Sequence, residues 1–177
     1  GLIMAYEWDR LCDGLLGWRF VGALYIGIPC WALLSLRADP VAGRDTLFWL
    51  LAVVWAADTG AYTFGRLIGG PKLAPVISPN KTWEGSLGGF VSAVAAALVL
   101  GMVLDLGIPA WQQAVIGGVV GVVGQWGDLI ESKLKRIADM KDAGSIIPGH
   151  GGLLDRLDSI LLTLPAVYYL VVNVFVP

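Results

Sequence analysis

Five apolar runs constrain the fold of this chain more than any other feature of its sequence. They cover about residues 14–36, 46–68, 83–104, 111–130 and 157–176. Each is close to the ~20 residues that a helix needs to cross the hydrocarbon core of a bilayer. Only 15% of the residues are charged, whereas soluble proteins average about 25%. The sequence therefore predicts an all-α, polytopic membrane helix bundle with about five transmembrane helices, no soluble domain and the lipid bilayer as its surroundings.

The polar segments between the runs predict how the chain is oriented. Five spans place three segments on one face of the membrane: 1–13, 66–83 and 131–157. That face carries nine Lys and Arg residues, whereas the segments 37–45 and 105–110 on the other face carry two. The positive-inside rule makes the first face cytoplasmic. Residues 1–13 are expected to lie at the membrane surface, with Tyr6 and Trp8 at headgroup level.

Charge and turn residues gather between 127 and 159. This stretch contains the only histidine of the chain and five of its twelve Lys and Arg residues: Lys133, Lys135, Arg136, Lys141 and Arg156. A chain so apolar elsewhere is expected to carry its chemistry here. The net charge of −2 and the lack of a basic stripe with interleaved aromatic residues give no support to nucleic-acid binding.

Two carboxylates lie in or at the end of apolar runs. Asp58 is well inside the second run and Asp128 ends the fourth. A carboxylate at the centre of a membrane helix costs at least ~2.5 kcal/mol on insertion scales, so it needs a partner or a water-filled cavity. Asp58 is therefore either hydrogen-bonded to a neighbouring helix or part of a site for metal or substrate.

The segment 78–85, SPNKTWEG, precedes the third run. The free N–H groups and the dipole of a helix N-terminus attract phosphate, so Ser78, Lys81 and Thr82 are candidate phosphate ligands. Glu84 in the first turn suits the same dipole. The alternative is ordinary helix capping by Ser78 or Thr82, with Lys81 as a topology-setting charge.

A second motif, HGGLLDRLD at 150–158, opens the fifth run. Asp155 and Asp158 are three residues apart and share a helix face. Carboxylates that converge from different helices beside several cations suit Mg²⁺ and a polyphosphate. His150 is expected to bind phosphate or loop backbone, or to act as a general base. A single histidine makes a zinc site improbable.

These motifs resemble the signature of the phosphatidate cytidylyltransferases, or CDP-diacylglycerol synthases. The matching residues are Ser132-Lys133-Leu134-Lys135-Arg136, Lys141-Asp142, His150-Gly151-Gly152 and Asp155-Arg156-Leu157-Asp158. Residues 78–85 and 58–62 resemble upstream blocks of the same family. The resemblance implies that CTP and phosphatidate react to give CDP-diacylglycerol and pyrophosphate in phospholipid biosynthesis. It also implies Mg²⁺ as cofactor, with room for a second cation.

The resemblance assigns roles to the motif loops 66–83 and 127–158. The catalytic candidates are Asp128, Asp155, Lys81 and Asp58. The metal-binding candidates are Asp128, Asp155 and Asp158. The substrate-binding candidates are Ser78, Lys81, Thr82, Glu84, Ser132, Lys135, Arg136, Lys141, His150 and Arg156. Members of this family carry additional N-terminal membrane helices, so residues 1–177 are expected to be the C-terminal catalytic part of a longer chain.

Two other functions stay open at this point. A CTP-dependent polyprenol or phytol kinase would release CDP instead of pyrophosphate. An ion-coupled transporter would use Asp58 and Asp128 as coupling sites, although the sequence shows no matching halves of the kind such proteins have. The expected location is a bacterial inner membrane, with the motif loops in the cytoplasm. Gly-rich helices, as in 117–124, would permit a homodimer.

Overall fold

The computed structural model describes residues 1–12, 15–39, 43–140, 142–144 and 151–175. Within these ranges the chain forms six α-helices and one pair of short strands. The order is α1 (Leu2–Leu11), α2 (Leu16–Arg37), α3 (Gly43–Leu67), β1 (Lys72–Ala74), β2 (Ser78–Thr82), α4 (Trp83–Val103), α5 (Ala110–Ile137) and α6 (Leu154–Tyr169). A π-helical segment, Leu170–Phe175, continues α6.

Five of these helices are long and apolar enough to cross a membrane: α2, α3, α4, α5 and α6 with its π-helical continuation. The predicted polytopic helix bundle is confirmed. The largest difference in length is in α5, which continues to Ile137 instead of ending near residue 130. Glu131 in this continuation is buried, and Lys135, one turn further along, pairs with its carboxylate.

The core of the bundle lies where α3, α4 and α5 meet. Trp49 is fully buried, and its indole N–H donates to the carbonyl oxygen of Ala97 at 2.9 Å. Small residues bring α4 against α3, since a Cβ atom added to Gly85 would lie 2.7 Å from the carbonyl oxygen of Ala61. Such close backbone approach is how membrane helices associate when no hydrophobic effect drives them together.

In helix α1, the side chain of Trp8 differs from its predicted position at headgroup level. Tyr6 is exposed, as expected, but Trp8 is only 3% exposed. Its ring packs against Tyr25, and its Nε1 donates to the carbonyl oxygen of Trp18 at 2.7 Å. Two residues apart on a helix point in nearly opposite directions, so Tyr6 and Trp8 could not share one environment.

The strand pair follows α3, where the Pro- and Gly-rich residues 69–82 separate two apolar runs. Lys72 pairs with Thr82 and Ala74 with Ser78 in an antiparallel register. Gly69 and Gly70 have φ angles of +76° and +100°, a conformation that suits glycine. The hairpin returns the chain from the end of α3 to the start of α4, which places Lys81 at the end of the bundle.

Candidate functional site

A cavity of about 780 Å³ opens at the end of the bundle where α3, β2, the outer part of α5 and the start of α6 converge. It collects eight of the predicted site residues: Asp58, Lys81, Thr82, Asp128, Lys135, Asp155, Arg156 and Asp158. Four others do not line it: Ser78, Glu84, Ser132 and Arg136. Lys141 and His150 lie outside the described residues. The two motif loops, far apart in sequence, therefore share one cavity.

An ion pair joins the two motif loops directly. Lys81 Nζ lies 2.5 Å from Asp128 Oδ2, and both side chains are partly accessible. The other oxygen of Asp128 accepts a hydrogen bond from Ser132 Oγ at 3.2 Å. The hairpin supplies the cation and α5 the carboxylate, so this pair fixes the start of α4 against the outer part of α5.

Three carboxylates from three helices face this cavity. Asp58, Asp128 and Asp158 are close enough for their negative charges to repel one another. Asp58 also accepts a hydrogen bond from Ser159 Oγ at 3.2 Å. Asp58 thus bonds to a neighbouring helix, as one interpretation predicted, and it also lines the cavity. Its part in a site for metal or substrate stays a prediction. The cluster carries more negative charge than Lys81 compensates.

Asp155 has a different environment from the other acidic residues. Its Oδ1 lies 2.7 Å from Lys135 Nζ. Its Oδ2 accepts hydrogen bonds from the backbone N–H groups of Ala143 at 2.9 Å and Gly152 at 2.8 Å. Lys135 also lies 3.2 Å from Glu131, which is fully buried. One oxygen of Asp155 therefore ties α6 to Lys135 on α5, and the other holds the backbone of Ala143 and Gly152 before α6.

The segment 78–85 caps helix α4 and also forms part of the cavity wall. Thr82 is the N-cap of α4, and its Oγ1 accepts a hydrogen bond from the backbone N–H of Gly85 at 3.1 Å. This confirms the capping alternative for Thr82, whereas Ser78 pairs with Ala74 in the hairpin. The carboxylate of Glu84 lies over Gly70, a position that only a residue without a side chain leaves open.

The donor set fits a divalent cation that keeps part of its own solvent shell. Among the described residues, no three His, Cys, Asp or Glu side chains form a ready group of metal ligands. Mg²⁺ does not need such a group, because it binds through one or two carboxylates and completes its shell with water and phosphate oxygens. Asp58, Asp128 and Asp158 would supply the electrostatic attraction for such a cation.

Ten of the residues that line the cavity were not among the predicted site residues, and they include the charged side chains of Arg66 and Asp142. Ser86 and Gln125 line the cavity, and Ser86 Oγ donates to Gln125 Oε1. A glutamine inside an apolar run indicates a hydrogen bond to a neighbouring helix. Glu7 is fully buried and accepts hydrogen bonds from the backbone N–H groups of Leu153 and Leu154. Nothing in the sequence around Glu7 distinguishes it from Asp9, which is exposed.

The sequence of this chain also matches proteins that are already known. A sequence model described as the cytidylyltransferase family matches residues 14–174. The chain belongs to the cytidylyltransferase family. This cytidylyltransferase-family chain thus carries both motif loops inside the matched region, which confirms the resemblance read from residues 58–158.

Relatives of this cytidylyltransferase-family chain include bacterial proteins named phosphatidate cytidylyltransferase. The protein of Bacillus subtilis (strain 168) is 44% identical over 154 residues, which is 87% of this chain and 57% of the relative. The protein of Brucella suis biovar 1 (strain 1330) is 43% identical over 152 residues, which is 86% of this chain and 56% of the relative. The chain thus spans about half the length of the curated relatives it matches.

Proposed function

We propose that this protein is a membrane-embedded phosphatidate cytidylyltransferase, which makes CDP-diacylglycerol and pyrophosphate from CTP and phosphatidate. One observation carries the proposal. The residues of the two motif loops line one cavity at the end of a membrane bundle, with Lys81, Lys135 and Arg156 beside several carboxylates. We expect such a cavity to be open to a water-soluble triphosphate and to adjoin the layer in which a lipid phosphate lies. The names of the relatives point to the same reaction.

The proposed reaction needs no nucleophile from the protein. A phosphate oxygen of phosphatidate attacks the α-phosphorus of CTP, and a new P–O bond forms. The bond from the α-phosphorus to the oxygen that bridges to the β-phosphate breaks, and pyrophosphate leaves with that electron pair. Positioning and charge neutralisation carry most of the rate in such transfers. Lys81, Lys135 and Arg156 are placed to hold the phosphates of the two substrates.

Asp128 and Asp155 are the proposed ligands of Mg²⁺, with Asp158 and Asp58 as further carboxylates for it or for a second cation. When bound, Mg²⁺ would reduce the charge repulsion between the two substrates and stabilise the pyrophosphate leaving group. Asp128 would have to exchange part of its contact with Lys81 for the cation. Lys81 would then be available to a phosphate oxygen.

The proposed location is a bacterial inner membrane with the motif loops in the cytoplasm. The excess of Lys and Arg on the face of these loops supports this orientation. The compartment is also the one that holds nucleotides. The bacterial origin of the relatives supports the choice of membrane.

The test is a product analysis on the full-length protein in detergent or lipid. CTP, phosphatidate and Mg²⁺ are supplied, and pyrophosphate and the CDP-lipid are measured together. Equal amounts of both products are expected, and they should fall strongly in Asp128→Asn. Release of CDP with phosphorylation of an added prenol would instead identify a kinase. The control is Arg44→Gln, at the start of α3 and away from the cavity, which should keep the activity of the unsubstituted protein.

A further inference from the structure

The turn into α6 is held by two carboxylates that come from opposite ends of the sequence. Asp155 accepts from the N–H groups of Ala143 and Gly152. Glu7 accepts from the next two N–H groups, with 2.9 Å between Leu153 N and Oε1 and 2.7 Å between Leu154 N and Oε2. The two acids together satisfy three consecutive N–H groups, those of residues 152, 153 and 154.

Glu7 acts as the N-terminal cap of α6, because it accepts hydrogen bonds from the backbone N–H groups of Leu153 and Leu154. The N-cap residue of α6, Leu153, has no side-chain cap of its own. The first N–H groups of a helix lack partners within the helix, and a negative charge there is favoured by the helix dipole. Glu7 therefore supplies both the acceptors and the charge, from a separate helix.

The backbone around Glu7 is shaped to admit its carboxylate. A Cβ atom on Gly144 would lie 2.5 Å from Glu7 Oε1, and one on Gly152 would lie 2.7 Å from the same oxygen. Glycine at both positions lets the loop close over the carboxylate, which is fully buried. Packing alone does not explain an acid here, because an apolar side chain would fill the space without the desolvation cost of a buried carboxylate.

We infer that Glu7 is a positioning residue for the cavity, acting through the first turn of α6. That turn carries Asp155, whose Oδ1 meets Lys135, and it leads into Asp158, which lines the cavity together with Asp58 and Asp128. Glu7 does not line the cavity itself. The inference rests on the proposed function, because it concerns the same site. It assigns helix α1 a role in catalysis that no motif of the sequence indicates.

The first test replaces Glu7 by Gln in the full-length protein. Glutamine keeps the size of the side chain but offers one oxygen, so its NH₂ group faces one of the two backbone N–H groups. The amides of Leu153 and Leu154 should lose protection in hydrogen exchange. Loss of such indirect support to a site typically costs about 10–100-fold in activity, and we expect this loss in kcat, with KM for CTP changed far less. Glu7→Asp, which keeps the charge on a shorter side chain, should recover part of kcat.

Two variants on the same helix separate positioning from stability. Met4→Ala removes buried apolar packing from α1 without touching an N–H acceptor, and Asp9→Asn breaks the ion pair that the partly exposed Asp9 of α1 forms with Arg19 of α2. Both should keep the protection of the two amides and the kcat of the folded enzyme. Unchanged exchange at Leu153 and Leu154 in Glu7→Gln would overturn the inference. So would a fall in kcat for Met4→Ala equal to that of Glu7→Gln.

Failure of the proposed function would look different. The unsubstituted protein would then give no CDP-lipid, whereas the exchange comparison between Glu7→Gln and Met4→Ala would still report whether Glu7 holds the start of α6. An active unsubstituted protein with normal kcat and normal exchange in Glu7→Gln would leave the proposed function intact and remove Glu7 from it.

Discussion

Lys81 and Asp128 lie 47 positions apart in the sequence and form an ion pair of 2.5 Å at the cavity. Lys81 stands one residue before the N-cap of α4, and Asp128 lies on the part of α5 that reaches the same end of the bundle. The pair brings together a cation suited to phosphate and a carboxylate suited to a metal ion. It joins the hairpin to α5 at the cavity.

Removal of Lys81 should therefore impair turnover more than folding. In Lys81→Met we expect kcat/KM for CTP to fall about 10²–10³-fold, the usual effect of removing one group that stabilises transition-state charge. The measurement is the initial rate of CDP-lipid formation in detergent. Lys72→Met, an exposed lysine of the same hairpin, is the matched control. Equal rates in the two variants would contradict the assignment.

Lys135 should matter to stability as well as to activity. It bridges Glu131, which is fully buried, and Asp155. Removing one member of a buried ion pair typically costs about 3–5 kcal/mol, because it leaves an uncompensated charge. We expect Lys135→Met to lower the free energy of unfolding by this order, measured by denaturation in mixed micelles.

A second substitution identifies the cause of that loss. Glu131→Gln removes the charge that Lys135→Met would leave unpaired, so the double variant should recover part of the lost stability. Lys133→Met, on the exposed side of the same helix, should have little effect. A double variant no more stable than Lys135→Met alone would show that Glu131 is not the source.

The apolar runs, the motifs and the family resemblance predicted the bundle and eight of the residues that line the cavity. Length and hydropathy fix the membrane helices, and the alternating sides of successive spans place both motif loops at one end. Asp58 and Asp128 were recognisable because a carboxylate in an apolar run is costly. The energetic cost of a carboxylate at such a position is what indicates a functional or paired residue.

The contacts of Glu7, Asp155 and Trp8 were not accessible to the same reasoning. Glu7 and Asp9 are both acids in a short mixed helix, and only the approach of the α6 turn buries one of them. The position of Asp155 among candidate metal ligands followed from family resemblance. Its bonds to Ala143 and Gly152 depend on how the loop folds back, which periodicity does not encode.

Removal of divalent cations should abolish activity without unfolding the bundle. Asp58, Asp128 and Asp158 repel one another across the cavity, and a bound cation would relieve this repulsion. EDTA should therefore stop CDP-lipid formation while the helical circular dichroism stays unchanged. Binding of Mn²⁺, followed by electron paramagnetic resonance, should weaken in Asp128→Asn.

The matched control for the cation experiment is Asp105→Asn. Asp105 lies in the turn between α4 and α5, at the opposite end of the bundle, with a φ of 47° that asparagine also tolerates. Its Mn²⁺ binding should equal that of the unsubstituted protein. Full activity in EDTA, or equal Mn²⁺ affinity in the two variants, would contradict the proposed metal site.

The contact between Gly127 and α6 leads to the last prediction. A Cβ atom on Gly127 would collide with the carbonyl oxygen of Asp158 and lie 3.4 Å from Ser159 Cα. Gly127→Ala must therefore push the first turns of α6 away from α5. Such overpacking typically costs about 1–3 kcal/mol, and it would also move the carboxylate of Asp158 relative to that of Asp128. We expect lower thermal stability together with a lower kcat per folded molecule. Gly17→Ala in α2, where nothing lies within 4 Å of the added atom, should leave both quantities near their original values. If Gly127→Ala lost stability but kept kcat, the register between α5 and α6 would not govern the geometry of the cavity.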